Sequence, residues 1–391
     1  MEKIRFYSVI IGLLGMLLVQ CQTKEKEGET KSTPTFLIDN SSLLAFEDIV
    51  SEVEFIPLMA PKDTLINLSC NVSELVVNDK IFYASRCYKD LSIHTFDLEG
   101  NHLQSWNKKG EGPGEYPSLH GLIVDNNELY ISTGRGSILK YGLPAFEFKE
   151  EIQLGDYNFV PTVSFISAYN WLISSEPPSN ERQEIFHVVN TESGKVNSLP
   201  ILSLPYSGEL NPGMFANMEE GKLLSFGLSD TIYSYQHDAI KPFVILNFGD
   251  KSISPDDFEL EGEAFVEKTL LSQNYAFNTG QIDYSEGIIK FMAYGIEKNP
   301  LFDQADLSTF PFYDVFISQN TGELKMTKAL LNIRNNSCSA EGYFYQAMQQ
   351  TDWQRALDLG YFGKYEEKLL QSIEKLSDEE DPIILKFKVA F

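Results

Sequence analysis

The chain has 391 residues and a net charge of −25, from 56 Asp and Glu against 31 Lys and Arg. A nucleic-acid binder needs a basic footprint to displace counterions. This balance, with no basic cluster in the body of the chain, argues against nucleic acid and against adsorption to anionic lipid. Hydrophobic content of 43% allows a sizeable core, and 13% aromatic residues favour strands, whose pleated faces pack flat rings.

The first element is a targeting segment. Lys3 and Arg5 precede an uncharged, mostly apolar run, 6–19. That run is shorter than the roughly 20 residues a spanning helix needs and suits a secretory signal, residues 1–20. "LLVQC" (17–21) resembles a bacterial lipoprotein signal, in which Cys21 becomes the first residue and carries the lipid. Gln20 departs from that pattern, which has Gly, Ala or Ser there. The resemblance implies an exported protein of the outer membrane or cell surface, with the periplasmic side as the other option, touching the membrane only through its anchor. The next stretch, 21–35, is polar and lacks apolar periodicity, so it reads as a solvated tether. No later stretch reads as a linker, and residues 36–391 are expected to form one domain.

Short strands separated by turn signals fill that domain. "ELVVNDKIFYAS" (74–85) reads as strand, Asn-Asp turn and strand, and "LSIHTFDLEGNHLQSW" (91–106) repeats the form. "GLIVDNNELYIS" (121–132) and "GSILKYGLPAFEFKEEIQL" (136–154) repeat the pair. Val77 to Val124 is an offset of 47 residues and Ile93 to Ile138 one of 45. Four strands at that period mark a β-propeller blade. Three further units follow with more drift, in 164–199, 214–246 and 281–326. The strand in "EDIVSEVEFIPL" (47–58) and the alternating "PIILKFKVAF" (382–391) remain, and are expected to pair in a sixth blade and close the ring. Two helical interruptions stand out. One is 254–273, opened by Ser254 and Pro255 as cap and first turn. The other is 363–382, with Tyr365, Leu369, Ile373 and Leu376 on one stripe that would cover an edge or rim.

"KKGEGPGEYPSLHGLIVDNNELYIS" (108–132) is the most distinctive stretch. A phosphate loop needs a Lys and a hydroxyl residue after its last glycine, but Gly114 is followed by Glu115 and Tyr116. A dinucleotide fingerprint needs a third glycine at 115 and a helix beyond it, yet Pro117 and a strand follow. "GEGPGEYPSLHGLIVDNNELYIS" resembles an NHL-type propeller repeat. The stretch resembles more closely a Bacteroidetes family of six-bladed β-propeller lipoproteins, which carries "G-x-G-P-G-E-[FY]" between its early blades. That family has a "VEFIPL" strand, here 53–58, and a "DTIY" strand, here 230–233. The resemblance, over about 46–391, implies an all-β six-bladed propeller. The glycines would then serve a blade-to-blade turn on the face where propellers usually bind.

Chemistry is sparsely signalled. Export allows disulfides. If Asn78-Asp79 were a two-residue turn, Val77 would face Lys80, and Cys70 would face Cys87 across the same hairpin; Cys338 has no expected partner. No metal is expected, because CxxC, HxxxH and HExxH are absent, and no cofactor. The acidic run Asp256, Asp257, Glu259, Glu261 and Glu263 reads as a solvated helix face. The site expectation is the propeller mouth near Glu115, Tyr116, His120 and Arg135, where Arg135 could make a bidentate contact with a carboxylate or sulfate. The functional expectation is a binding or scaffolding module of the cell envelope, its partner an envelope protein or a glycan. The alternative is a carbohydrate-active hydrolase or lyase at the same mouth.

Overall fold

In the computed structural model the described residues are 32–61, 73–85, 91–157, 159–176, 182–206, 213–260, 262–304, 309–330, 337–378 and 381–391. Within the unit Thr35–Phe391 the strands form six small sheets, the six blades of a β-propeller. Two strands come from the N-terminal segment, β1 (Thr35–Leu37) and β2 (Val50–Pro57). Blade 1 is β3 (Ser73–Val77), β4 (Ile81–Ser85), β5 (Ile93–Phe96) and β6 (His102–Trp106). Blade 2 is β7 (Gly121–Asp125), β8 (Glu128–Ser132), β9 (Ser137–Gly142) and β10 (Glu147–Gln153). Blade 3 is β11 (Val163–Ser167), β12 (Asn170–Ser174), β13 (Phe186–Asn190) and β14 (Lys195–Ser198). Blade 4 is β15 (Met214–Asn217), β16 (Lys222–Ser225), β17 (Thr231–Gln236) and β18 (Ala239–Asn247). Blade 5 is β19 (Phe277–Ser285), β20 (Ile288–Tyr294), β21 (Phe312–Ser318) and β22 (Leu324–Lys328). Blade 6 combines β23 (Ser337–Ala340), β24 (Tyr343–Met348) and β25 (Ile383–Val389) with β2. The first strands meet one another, β23 with β3, β3 with β7, β7 with β11, β15 with β19 and β19 with β23, so they line the axis.

The ring closes as expected from the terminal strands. β2 is the outermost strand of blade 6 and pairs antiparallel with β25, Val53 opposite Phe387 and Phe55 opposite Leu385. A strand supplied by the opposite end of the chain leaves this blade no open seam. The N-terminal segment does more than close one blade. β1 lies parallel on β18 of blade 4, Thr35 opposite Ile245. Leu43 then bridges Met326 on β22 of blade 5, and the Leu44 amide donates to the Met326 carbonyl at 2.8 Å. The short helix Phe46–Ile49 leads from there into β2. One strap therefore crosses the outer edges of three successive blades.

The helix Glu366–Ile373 lies against β2. The Ser372 hydroxyl donates to the Phe55 carbonyl at 2.9 Å, and the Lys368 ammonium to the Val53 carbonyl at 3.2 Å. Leu369 is buried, while Tyr365, Ile373 and Leu376 pack partly buried on the same cluster. The expected stripe thus covers an edge, whose unpaired carbonyls would otherwise invite strand addition. The other expected helix breaks into a 3-10 turn (Pro255–Glu259), an α turn (Gly262–Val266) and a π turn (Glu267–Leu271). Asp257, 2% exposed, turns inward there. It accepts from the Ser254 amide and hydroxyl at 2.9 and 2.7 Å and meets Lys268 at 2.5 Å. Burial pushes the Asp257 carboxyl up, but Lys268 and Ser254 outweigh it and hold it at about 2. At Asp257 the expected solvated acidic face is a buried cap instead.

The first hairpin also departs from expectation. Val77 pairs with Ile81, not Lys80, and the paired positions sum to 158, one more than the sum that sets Cys70 opposite Cys87. The Asn78 side chain accepts from the Lys80 amide at 3.0 Å, and the Asn78 amide donates to the Lys80 carbonyl, so the turn takes three residues. Cys70, Cys87 and Cys21 lie outside the described residues; Cys338, on β23, is a free thiol.

Between blades 5 and 6 the packing contains a buried charge. Lys290 on β20 is 3% exposed. Its ammonium stands 3.3 Å from an Asp314 oxygen and 3.6 Å from an Asp283 oxygen, ion-pair contacts rather than aligned hydrogen bonds. The Ser337 hydroxyl of blade 6 donates to Asp283 at 2.7 Å and ties the blades together. Beside this cluster Phe387 packs on Phe46, Phe316 and Phe344 at 5.5, 6.1 and 5.7 Å between ring centroids.

Candidate functional site

The glycine stretch divides the four expected site residues between two places. Its loop folds on itself: the Tyr116 amide donates to the Lys108 carbonyl at 2.9 Å and the Gly110 amide to the Tyr116 carbonyl at 3.2 Å. The exposed Glu115 turns back into that loop and accepts from the Gly112 amide at 2.9 Å. A side chain at Gly110 would meet the same carboxylate, a Cβ falling 1.9 Å from Glu115 Oε2. Tyr116 is fully buried, and its hydroxyl donates to the Leu91 carbonyl at 2.9 Å. The Tyr141 hydroxyl donates to the Gly114 carbonyl at 3.0 Å, and the Lys108 ammonium to the Phe146 carbonyl at 2.9 Å. Glu115 and Tyr116 thus hold the seam between blades 1 and 2.

Gly114 shows how tight that seam is. Its φ of +72° is in the left-handed region, and an added Cβ would fall 2.7 Å from the Phe148 ring. Gly114→Ala is therefore expected to destabilise by about 1–3 kcal/mol. A chemical denaturation midpoint unchanged from that of the parent would show that the loop does not brace the seam.

His120 and Arg135 both flank Gly134 at the channel end where β7 begins. The His120 amide donates to the Ser132 carbonyl at 2.9 Å. Its half-buried ring faces Gly134, where a Cβ would fall 2.5 Å from Cδ2. Phe159 meets the same ring edge-on, 5.2 Å between centroids. Gly134 in turn accepts from the Val160 amide at 3.0 Å, which fixes the linker from blade 2 to blade 3. Arg135 is exposed on the β8–β9 turn; its amide donates to the Thr133 hydroxyl at 3.3 Å.

The linker adds Tyr157, half-buried, its ring 6.1 Å from that of His187 on β13. His187 is held between two hydroxyls, Ser175 at 3.0 Å and Ser198 at 2.9 Å. Burial pushes its imidazole below the ordinary value, with Glu184 opposing. His120 and Phe159 therefore form a ledge of two rings at this mouth, with the exposed Arg135 on the adjoining turn, while Tyr157 packs toward His187 and the core between blades 2 and 3. Sequence reasoning reached two of these residues. Tyr157 and Phe159 sit in a linker without motif or periodicity, and nothing in the sequence distinguishes them from core aromatics. Among the described residues no group of His, Cys, Asp and Glu is arranged to hold a metal ion, and no helix is long and apolar enough to cross a membrane.

Two solved structures share this architecture. One is a Bacteroides fragilis protein named as exported, 16% identical, with 92% of this chain and 99% of that chain covered at a TM-score of 0.65. The other is a member of the DUF4221 family from Bacteroides vulgatus, 12% identical, with 88% and 98% covered at 0.54. At these identities the likeness is one of fold. Curated proteins give no match. The family described as a domain of unknown function, DUF4934, matches residues 32–388, and the chain belongs to that family.

Proposed function

We propose that the chain is an exported, lipid-anchored propeller of NHL-like blades that acts as a binding or scaffolding module of the bacterial cell envelope, taking a glycan or an envelope protein at the His120–Arg135 mouth. The observation that carries this reading is the ledge itself. Half-exposed rings are fixed from behind by Gly134 and by linker hydrogen bonds, next to an exposed guanidinium. Rigid aromatic faces with one convergent charged group suit the recognition of a flat, polar ligand. The signal-like 1–20, Cys21 and the named export of the fragilis neighbour support the address. The alternative, a carbohydrate-active hydrolase or lyase, is favoured by His187, an imidazole whose charged form burial disfavours and which is bonded to two serine hydroxyls.

A glycan array with the chain from residue 32 onward separates the two; starting there keeps β1 whole. Arg135→Ala is expected to weaken binding of any hit by about 1.5–3 kcal/mol, the range for hydrogen bonds to a charged group. His120→Ala should weaken it less. Binding indifferent to both substitutions would move the site elsewhere. Glycan cleavage that His187→Ala abolishes would replace the binding reading with the enzymatic one.

A further inference from the structure

At the opposite end of the channel, blades 3 and 4 line a half-open cavity of about 560 Å³. That is ample for a small ligand, since such sites run from roughly 300 to 1,000 Å³. One wall is apolar, from Phe165, Ile166 and Met218; the other carries Lys222, Tyr235 and Asp238. Lys222 opens β16, and Tyr235 is its direct cross-strand partner on β17. The Tyr235 hydroxyl donates to Asp238 at 2.9 Å.

Lys222 differs from the ion-paired lysines of the fold, and like Lys298, which donates to Asn274, it bonds an amide oxygen. Lys140, Lys149, Lys268, Lys290, Lys386 and Lys388 each meet a carboxylate at 2.5–3.3 Å. Lys222, half-buried, donates instead to the neutral amide oxygen of Asn217, and among the described residues no ion pair includes it. An ammonium without a counterion next to a cavity invites either an anion or a neutral electrophile. The surroundings decide between them. Glu220 and Asp238 line the cavity, and Asp125, at the end of β7, acts on Lys222 from the neighbouring blade. Three carboxylates against one lysine repel an anion. A carbonyl compound carries no charge and needs only the free amine.

We propose that this cavity binds a small aldehyde or ketone, which Lys222 captures reversibly as an imine. The amine lone pair attacks the carbonyl carbon and a C–N bond forms. The nitrogen gives up its two protons, and the carbonyl oxygen departs as water with both. No oxidant, reductant or co-reactant is consumed. Asp238 stands in the same cavity as a proton acceptor, and the apolar wall takes the organic part of the ligand. Burial supplies the free amine by pushing Lys222 down to about 8, against the opposing pull of Asp125. Of the remaining titratable groups facing it, Tyr235 is pushed up to about 12 by burial and Asp238 and stays protonated, while His237 and Glu220 lie on adjoining turns.

The test treats the full chain with benzaldehyde or propionaldehyde near neutral pH, reduces with borohydride and maps the modified lysines by mass spectrometry. Lys222 should be labelled at least about tenfold faster than the exposed lysines, because each unit of pKa is tenfold in free amine. Lys222→Arg, which keeps the charge but cannot form an imine, should remove that adduct alone and leave the thermal midpoint in place. Should Lys222→Arg fail to fold, Asn217→Ala serves as a second variant and should retain Lys222 labelling. Label spread over surface lysines in proportion to exposure overturns the proposal. So does stabilisation of the chain by propionate or sulfate without aldehyde labelling, which would make the cavity an anion site.

Discussion

Lys290→Met is expected to cost about 3–5 kcal/mol of stability at neutral pH, because it strands the buried Asp314 carboxylate and the half-buried Asp283 beside it. Burial alone would lower the lysine's pKa, but Asp314 and Asp283 outweigh it and hold the ammonium above its ordinary value. Its contribution is therefore fully present below the pKa of an unfolded lysine, and is lost only as pH rises through the higher folded value. Urea unfolding of parent and variant at about pH 7 and about pH 11, on either side of an ordinary lysine pKa, checks this. The deficit should shrink at the higher pH. An equal deficit at both would mean that the lysine acts by packing and not by charge.

Phe387→Ala should cost a similar amount, about 3–5 kcal/mol, the usual range for an aromatic lost from a core. Phe387 is 1% exposed, lies on β25 and touches the strap through Phe46, blade 5 through Phe316 and its own blade through Phe344. The cavity left behind would open at the seam where the two chain ends meet, so limited proteolysis of the variant should cut first near that seam. Val196→Ala on the exposed β14 serves as the control, expected within about 0.5 kcal/mol of the parent. A Phe387→Ala midpoint matching that control would show that the closing blade contributes little to holding the ring.

The propeller was legible where alternation and turns coincide. "PIILKFKVAF" alternates clearly from Leu385 onward, and it pairs with the "VEFIPL" strand as expected. The other half of blade 6 was not legible. β23 has four half-buried residues with no alternation, and β24 runs straight into the helix Gln350–Asp358, so neither carries a period-two signal. β1 is three residues long and pairs in parallel, below what pattern can detect. The site expectation grouped Glu115, Tyr116, His120 and Arg135 because they are near in sequence. Between Tyr116 and His120, however, the chain passes from the outer seam to the mouth, and that step depends on blade packing. The two lysines make the same point. Lys222 and Lys290 both follow a glycine-containing turn into the second strand of a blade. Only the neighbouring blade decides that one is clasped by carboxylates and the other faces a cavity.

The strap gives the molecule a direction of load. A pull on the chain ahead of Thr35 reaches blade 4 first, through the three-residue ladder of β1 on β18. Only after that ladder and the Leu43–Met326 bridge have released does tension arrive at β2, whose ladder with β25 keeps the ring shut. The short leading contacts act as a fuse for the long ladder behind them. A protein held by its N-terminus could lose the first two under strain and re-form them, with all six blades still in place.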